Sequence, residues 1–145
     1  MNRYRQKTGL KCIGRGASIK GAIQCLRRNE ILGILADVDT KVDGVFVDFF
    51  GHPAYTPKGP VSIALKTGAG LLPAFMIRQK DNTHKLIIEK ELKLITTGNS
   101  EEDIKINTEA FTKIIESYIR KYPDHWVWFH DRWKTKKKDC DKTGN

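Results

Sequence analysis

A chain of 145 residues that is 39% hydrophobic and 30% charged suits one domain or a large piece of one, and it excludes a disordered polymer. Its net charge of +9 favours an anionic partner: phosphate-bearing lipid, acidic protein or nucleic acid. No apolar run approaches the roughly 20 residues that span a bilayer, the charged start has no apolar stretch behind it to make a signal peptide, and the three cysteines, Cys12, Cys25 and Cys140, form no CxxC pair. They read as reduced cytosolic thiols, not as a disulfide framework or metal site.

In chain order, Ile19, Ala22, Ile23 and Leu26 fall at helical spacing, with Lys20, Gln24, Arg27 and Arg28 opposite, which predicts an amphipathic helix over 17–26. Residues 30–36 are continuously apolar after Glu30 and predict a buried, parallel strand. The acidic stretch 37–44 reads as a loop and 45–50 as a second strand. Pro53, Pro57 and the glycines make 51–59 irregular, and Pro60 suits the first turn of a helix running to Gly68. Further strands are predicted over 71–77 and 85–94. Ser100 followed by Glu101, Glu102 and Asp103 is a helix start, the stripe Phe111, Ile114, Ile115, Tyr118 and Ile119 continues that helix, and Pro123 closes it. This order predicts an α/β fold: a mixed, largely parallel sheet flanked by helices, in residues 1–136, with 137–145 a polar, disordered tail.

Two stretches carry a resemblance. One is Gly33-Ile34-Leu35-Ala36-Asp37-Val38-Asp39, then Gly44-Val45-Phe46-Val47-Asp48-Phe49-Phe50-Gly51, then Pro53-Ala54-Tyr55-Thr56 with Gly59. The other is Glu116 with Ile119-Arg120, then Tyr122-Pro123-Asp124-His125-Trp126-Val127-Trp128, then His130, Arg132, Trp133 and Lys134. In this order and spacing the chain resembles the bacterial lipid A lauroyl/myristoyl acyltransferases, relatives of the glycerolipid acyltransferases. The resemblance covers about residues 2–136, with Ala64, Gly68, Pro73 and Arg78 also in place.

It implies a glycerolipid-acyltransferase-like fold and transfer of a fatty acyl group from acyl carrier protein, or coenzyme A, to a hydroxyl of a lipid acceptor. No cofactor or metal is implied beyond that co-substrate. The family's His, followed five positions on by an acid, is the general base and normally lies upstream of an Arg-x-x-x-Gly segment. Here Arg5-Gln6-Lys7-Thr8-Gly9 resembles that segment, so the expectation is a chain truncated at its N-terminus, lacking the catalytic motif and inactive alone. The implied partners are the acyl carrier, an anionic lipid, a membrane surface and the missing N-terminal half. The implied place is peripheral, on the cytosolic face of the bacterial inner membrane.

Among the four histidines only His84 has an acid, Glu89, at the fifth position. That segment reads as a strand, in which such positions point to opposite faces. No catalytic residue is therefore assigned. Substrate-binding candidates are Arg5, Arg15, Asp37, Gly44, Thr56 and Gly59. Guanidinium forks fit phosphate oxygens, which recommends Arg5; the competing reading is an ordinary exposed base. Arg15 lies between two glycines before a helix, a place for anions or for a plain turn. Asp37 ends a strand, where α/β sheets hold ligands; it can accept a bond from a sugar hydroxyl, hold a nearby Arg, or be a plain loop carboxylate. Asp39 and Asp43 read as solvated loop charges. Phe46, Phe49 and Phe50 either line an acyl groove or pack the core.

Trp126, Trp128, Arg132, Trp133 and Lys134 mix aromatic and basic side chains in the way that suits a lipid headgroup layer, the competing reading being a Trp packed under the last helix and solvated lysines. A non-catalytic lipid- or carrier-binding partner of a split enzyme is a second reading. A small nucleic-acid-binding protein is a third, for which no recognition motif appears, so no nucleic acid is expected.

Overall fold

The computed structural model describes residues 7–13, 18–39 and 42–136. They fall into two compact units, residues 1–33 and 34–145.

In the first unit, helix α1, Ser18–Arg27, buries Ala22 and Cys25. Beyond it Glu30 accepts bonds from Arg28 Nη2 at 2.9 Å and Lys11 Nζ at 2.6 Å. Those bonds, Arg28's the stronger, hold the Glu30 carboxyl down at about 2.

The second unit begins with a hairpin of β1, Gly44–Phe49, and β2, His52–Pro57, paired antiparallel from Gly44↔Pro57 to Phe49↔His52. Phe50 and Gly51 make a two-residue loop with φ of 55° and 80°, the double left-handed turn that matches strand twist. Phe50 is an unusual residue for that conformation. It is held there because its N–H donates to the buried Glu116, its ring stands edge-on to Phe49 at 4.8 Å, and the Arg120 guanidinium lies 4.7 Å above it.

Helix α2, Gly59–Thr67, follows and ends at Gly68, whose left-handed backbone returns its N–H to the Ala64 carbonyl at 2.9 Å. A second hairpin pairs β3, Ala74–Arg78, with β4, His84–Ile88. Helix α3, Ser100–Lys121, is capped by Asn99, whose side chain accepts from the N–H groups of Glu101 and Glu102. A 3₁₀ turn, Pro123–His125, then leads into the C-terminal segment. Phe49, Ala54, Ile115 and Ile119 form the core, with Phe50, Phe75, Phe111, Trp126 and Trp133 packed around it.

Helices and strands mix as expected, but the sheet does not. Among the described residues there are two separate two-stranded antiparallel sheets and no parallel pairing. Residues 30–36 are not a strand: Ile31 is 98% exposed, Leu35 82%, and only Ala36 is buried. An apolar run specifies a buried strand only where a neighbouring strand supplies the ladder, and none pairs with it among the described residues.

Residues 51–59, expected to be irregular, contain β2. Only alternate β2 residues need donate to β1, and Pro53 and Pro57, four apart, share one parity of the ladder. The predicted strand over 85–94 stops at Ile88. Past it the backbone runs along α3, where Asn107 bonds both the N–H and the carbonyl of Ile95 at 2.8 Å and Asp103 accepts from Thr97.

Candidate functional site

The open edge of β2 is where the second unit gathers its polar residues. The parity that hides the two prolines also turns the Tyr55 carbonyl outward, and Arg132 Nη1 donates to it at 2.7 Å. Arg132 Nη2 donates to Thr56 Oγ1 at 2.6 Å, and Thr56 Oγ1 donates to the Ala54 carbonyl at 3.2 Å. The guanidinium is 2% exposed and lies 4.9 Å from the centre of the Phe49 ring. Burial pushes its pKa down, and the negative charges of Asp39 and then Asp37 push back.

Asp39 is itself buried and accepts from Thr135 Oγ1 at 2.7 Å and Thr135 N at 3.3 Å, while Lys134 Nζ donates to the Asp39 carbonyl at 2.8 Å. Residues 37–39, β2 and residues 132–135 are therefore one hydrogen-bonded frame. Around it stand the rings of Trp126 and Trp133, 5.6 and 5.5 Å from Phe49. Arg132 Nε, Trp126 Nε1 and Trp133 Nε1 are buried without a protein acceptor among the described residues. Such donors suit the oxygen of a water or a ligand.

Several sequence candidates meet in this frame. Asp37 is half-buried and close enough to Arg132 to act on its charge. Thr56 is fully buried, with its hydroxyl committed to Arg132 and Ala54, so it supports the frame and does not face solvent. Gly44 serves the hairpin: a Cβ there would stand 2.5 Å from the Thr56 carbonyl oxygen, and its N–H donates to Tyr55 Oη at 2.9 Å. Gly59, at the start of α2, has open space around it. Arg5 and Arg15 lie outside the described residues.

The five residues expected at a membrane divide. Arg132 is a correction: a guanidinium this buried, with two hydrogen bonds and a π-face, presents no charge to a headgroup layer. Trp126 and Trp133 pack against Phe49, Lys134 is tied to Asp39, and Trp128 is 56% exposed. Beside Trp128, Phe129 is 95% exposed, a residue that sequence reasoning passed over.

Asp39, read as a solvated charge, is buried. Its signal was its position, two residues beyond Asp37 at the end of an apolar run, and its partner Thr135 is too distant in sequence to have been seen. Asp43 does pair on the surface, with Lys58 at 2.7 Å.

The one His-x-x-x-x-acid match is split by its strand. His84 opens β4, exposed and opposite Arg78, whereas Glu89 accepts from the Tyr118 hydroxyl, whose pKa that bond, with burial, pushes up to about 12. No group of three or more metal-ligating side chains is found among the described residues, and no helix there is long and apolar enough to cross a membrane.

Comparison with known proteins identifies the family. The model of the bacterial lipid A biosynthesis acyltransferase family matches residues 1–135. The chain is 30% identical over 134 residues to a lipid A biosynthesis acyltransferase of Haemophilus influenzae, an overlap of 92% of this chain and 41% of the relative. It is 28% identical over 137 residues to the lipid A biosynthesis palmitoleoyltransferase of Escherichia coli, 92% of this chain and 43% of that protein. A phosphatidylinositol mannoside acyltransferase of Mycobacterium tuberculosis is 36% identical over 74 residues, 48% of this chain and 23% of the relative. The chain thus spans less than half the length of the curated relatives it matches. With nearly its whole length matched, it belongs to the bacterial lipid A biosynthesis acyltransferase family.

Proposed function

We propose that this chain is the substrate-binding part of an acyltransferase of glycolipid biosynthesis. The family match over residues 1–135 carries the reading. In the proposed reaction a lipid hydroxyl attacks the thioester carbonyl of an acyl group on acyl carrier protein or coenzyme A. The C–S bond breaks as the ester C–O bond forms, and the hydroxyl proton passes by way of a general base to the departing thiol. No cofactor is needed. Relatives named for lipid A and for phosphatidylinositol mannosides support a glycolipid acceptor, and the net charge of +9 supports an anionic one at the cytosolic face of a bacterial inner membrane.

The base is not His84, because Glu89 is turned to Tyr118. We place it in sequence outside these 145 residues, upstream of the segment holding Arg5 and Gly9. The chain's own contribution is then the frame on which the acceptor rests, with Asp37 at its rim and Arg132 and Thr56 beneath; Arg5 and Arg15 are proposed as anion contacts from the sequence alone. That division of labour favours one further reading, a non-catalytic lipid- or carrier-binding partner that completes a split enzyme.

The test is an acyl-transfer assay with acyl-acyl carrier protein and a lipid A precursor. It uses this chain alone and then joined to the upstream part of a family member. No transfer by the first and transfer by the second is the expected result. Transfer by the chain alone that survives His84→Ala would sink the external base. No transfer by the joined protein would sink the acyltransferase reading.

A further inference from the structure

The second hairpin has one face that the core does not use. Its register sets Ala74 opposite Ile88, Met76 opposite Leu86 and Arg78 opposite His84, all on one side, while Phe75, Ile77 and Ile87 fall on the other. The inner side is spent: Phe75 stacks on Tyr118 at 3.6 Å and Ile77 is buried. The outer side is bare, with Met76 56%, Leu86 55% and Ile88 59% exposed, and Leu72, just before β3, at 52%. Soluble chains rarely leave such a contiguous apolar patch open without a use for it.

The patch has a charge pattern as well. Arg78 bounds it at one end with His84 across the ladder, Lys80 follows in the turn, and Lys90 lies at the other end; all are exposed. Asp124, which feels the charge of Arg78, is paired with His125 at 3.0 Å, and the other nearby carboxylates are spoken for or off the face. Glu89 accepts from Tyr118, Asp81 accepts from Thr83 N at 3.0 Å and Thr83 Oγ1 at 2.7 Å, and Glu91 sits beside Gly70 beyond the strand pair.

We propose that this outer face of the β3–β4 hairpin is the surface that meets an anionic lipid bilayer, with Leu72, Met76, Leu86 and Ile88 entering the interface and Arg78 and Lys90 meeting the headgroups. An apolar centre bounded by cations is complementary to acyl chains under anionic phosphates. A second copy of the chain fits it badly, since packing the face on itself would set Arg78 and Lys90 among their own kind. The inference deepens the acyltransferase reading and rests on it for the presence of a membrane, but it names a surface that the aromatic C-terminal segment does not include.

The experiment is vesicle flotation of the full chain, without acyl donor, on phosphatidylcholine vesicles with and without 30% phosphatidylglycerol. Expected are binding that needs the anionic lipid and weakens with salt, and a tenfold or greater loss in Met76→Glu/Leu86→Glu and in the milder Met76→Ser/Leu86→Ser. Thermal unfolding and circular dichroism should stay as in the parent chain. Arg78→Gln/Lys90→Gln should lose a smaller factor and most of the salt dependence.

Three results overturn the proposal: parent chain that does not float, serine variants that float as it does, or a dimer in sedimentation equilibrium that those variants dissolve. Loss confined to Trp128→Ser/Phe129→Ser would move the lipid contact to that tip, leaving the membrane reading intact and the hairpin proposal refuted. Because no acyl donor is present, a failed transfer assay does not bear on the outcome.

Discussion

Arg132 and Thr56, 76 residues apart in sequence, share a buried hydrogen bond of 2.6 Å from guanidinium to hydroxyl. That bond joins the first hairpin to the C-terminal segment, and several consequences can be measured.

Thr56→Val keeps the shape of the side chain and removes the acceptor of Arg132 Nη2. A buried donor left unsatisfied costs about 1–3 kcal/mol. The expected result in urea denaturation is a fall of that size with an unchanged slope. Arg132→Lys should cost at least as much, because an ammonium cannot reach both the Tyr55 carbonyl and Thr56 as a planar fork does. A double-mutant cycle should show the two effects to be strongly non-additive.

Gly44 and Gly59 look equivalent in the sequence and should behave differently. Gly44→Ala would force a methyl group to within 2.5 Å of the Thr56 carbonyl oxygen, a backbone atom that cannot move without opening the hairpin. A loss of about 1–3 kcal/mol is expected. Gly59→Ala meets nothing within 4 Å and starts a helix, so its stability should be unchanged or slightly raised. Paired thermal melts decide the matter.

Glu116 holds the turn of the first hairpin, accepting from the Phe50 N–H while Lys113 bridges it to Asp48. Glu116→Ala leaves the left-handed Phe50 without its backbone partner. Destabilisation of about 1–3 kcal/mol is expected, with amide exchange accelerated at Phe50 and Gly51 more than in α3.

Acid should loosen the start of α3. The N–H and hydroxyl of Thr97 hold the Asp103 carboxyl below its ordinary value, so the folded state binds that proton less readily than the unfolded chain does. The stabilisation is complete above the unfolded pKa and is lost as the pH falls through the lower folded value. Asp103→Asn should flatten the fall in stability at acid pH, which denaturation across that range will show. Lys113 lowers Asp48 in the same way, so the flattening should be partial.

The helices were legible because their signals are local. An acidic first turn, a stripe at helical spacing and a Gly after the last turn placed Ser100–Lys121 and Gly59–Thr67 almost to the residue. What α3 buries was less legible: Asp103, Asn107 and Glu116 are polar and inside, answering to Thr97, Ile95 and Phe50 in loops and a turn that no helical periodicity encodes, while Thr112 donates to the Thr108 carbonyl within the helix. Strand pairing was misread for the same reason. The apolar run 30–36 says nothing about which neighbour completes its ladder, and the prolines of β2 hide a strand unless their shared parity is noticed.

In the site, the motif residues were visible but their roles were not. Arg132 reads as a surface cation until the aromatic rings packed around it are known, and Asp39 until Thr135 is placed against it.

The separation of Thr56 from Arg132 also sets a timetable for synthesis. At about 5–20 residues per second, a ribosome releases Arg132 on the order of 4–15 s after Thr56, a gap of 76 residues. For those seconds the nascent hairpin must wait with the Tyr55 carbonyl unclaimed, and the outward-facing Pro53 and Pro57, which offer no N–H to a neighbouring chain, are what guard the outer edge of β2. A stop codon anywhere before position 132 makes that interval permanent, so shortened products of this gene should melt at a lower temperature than the 145-residue chain.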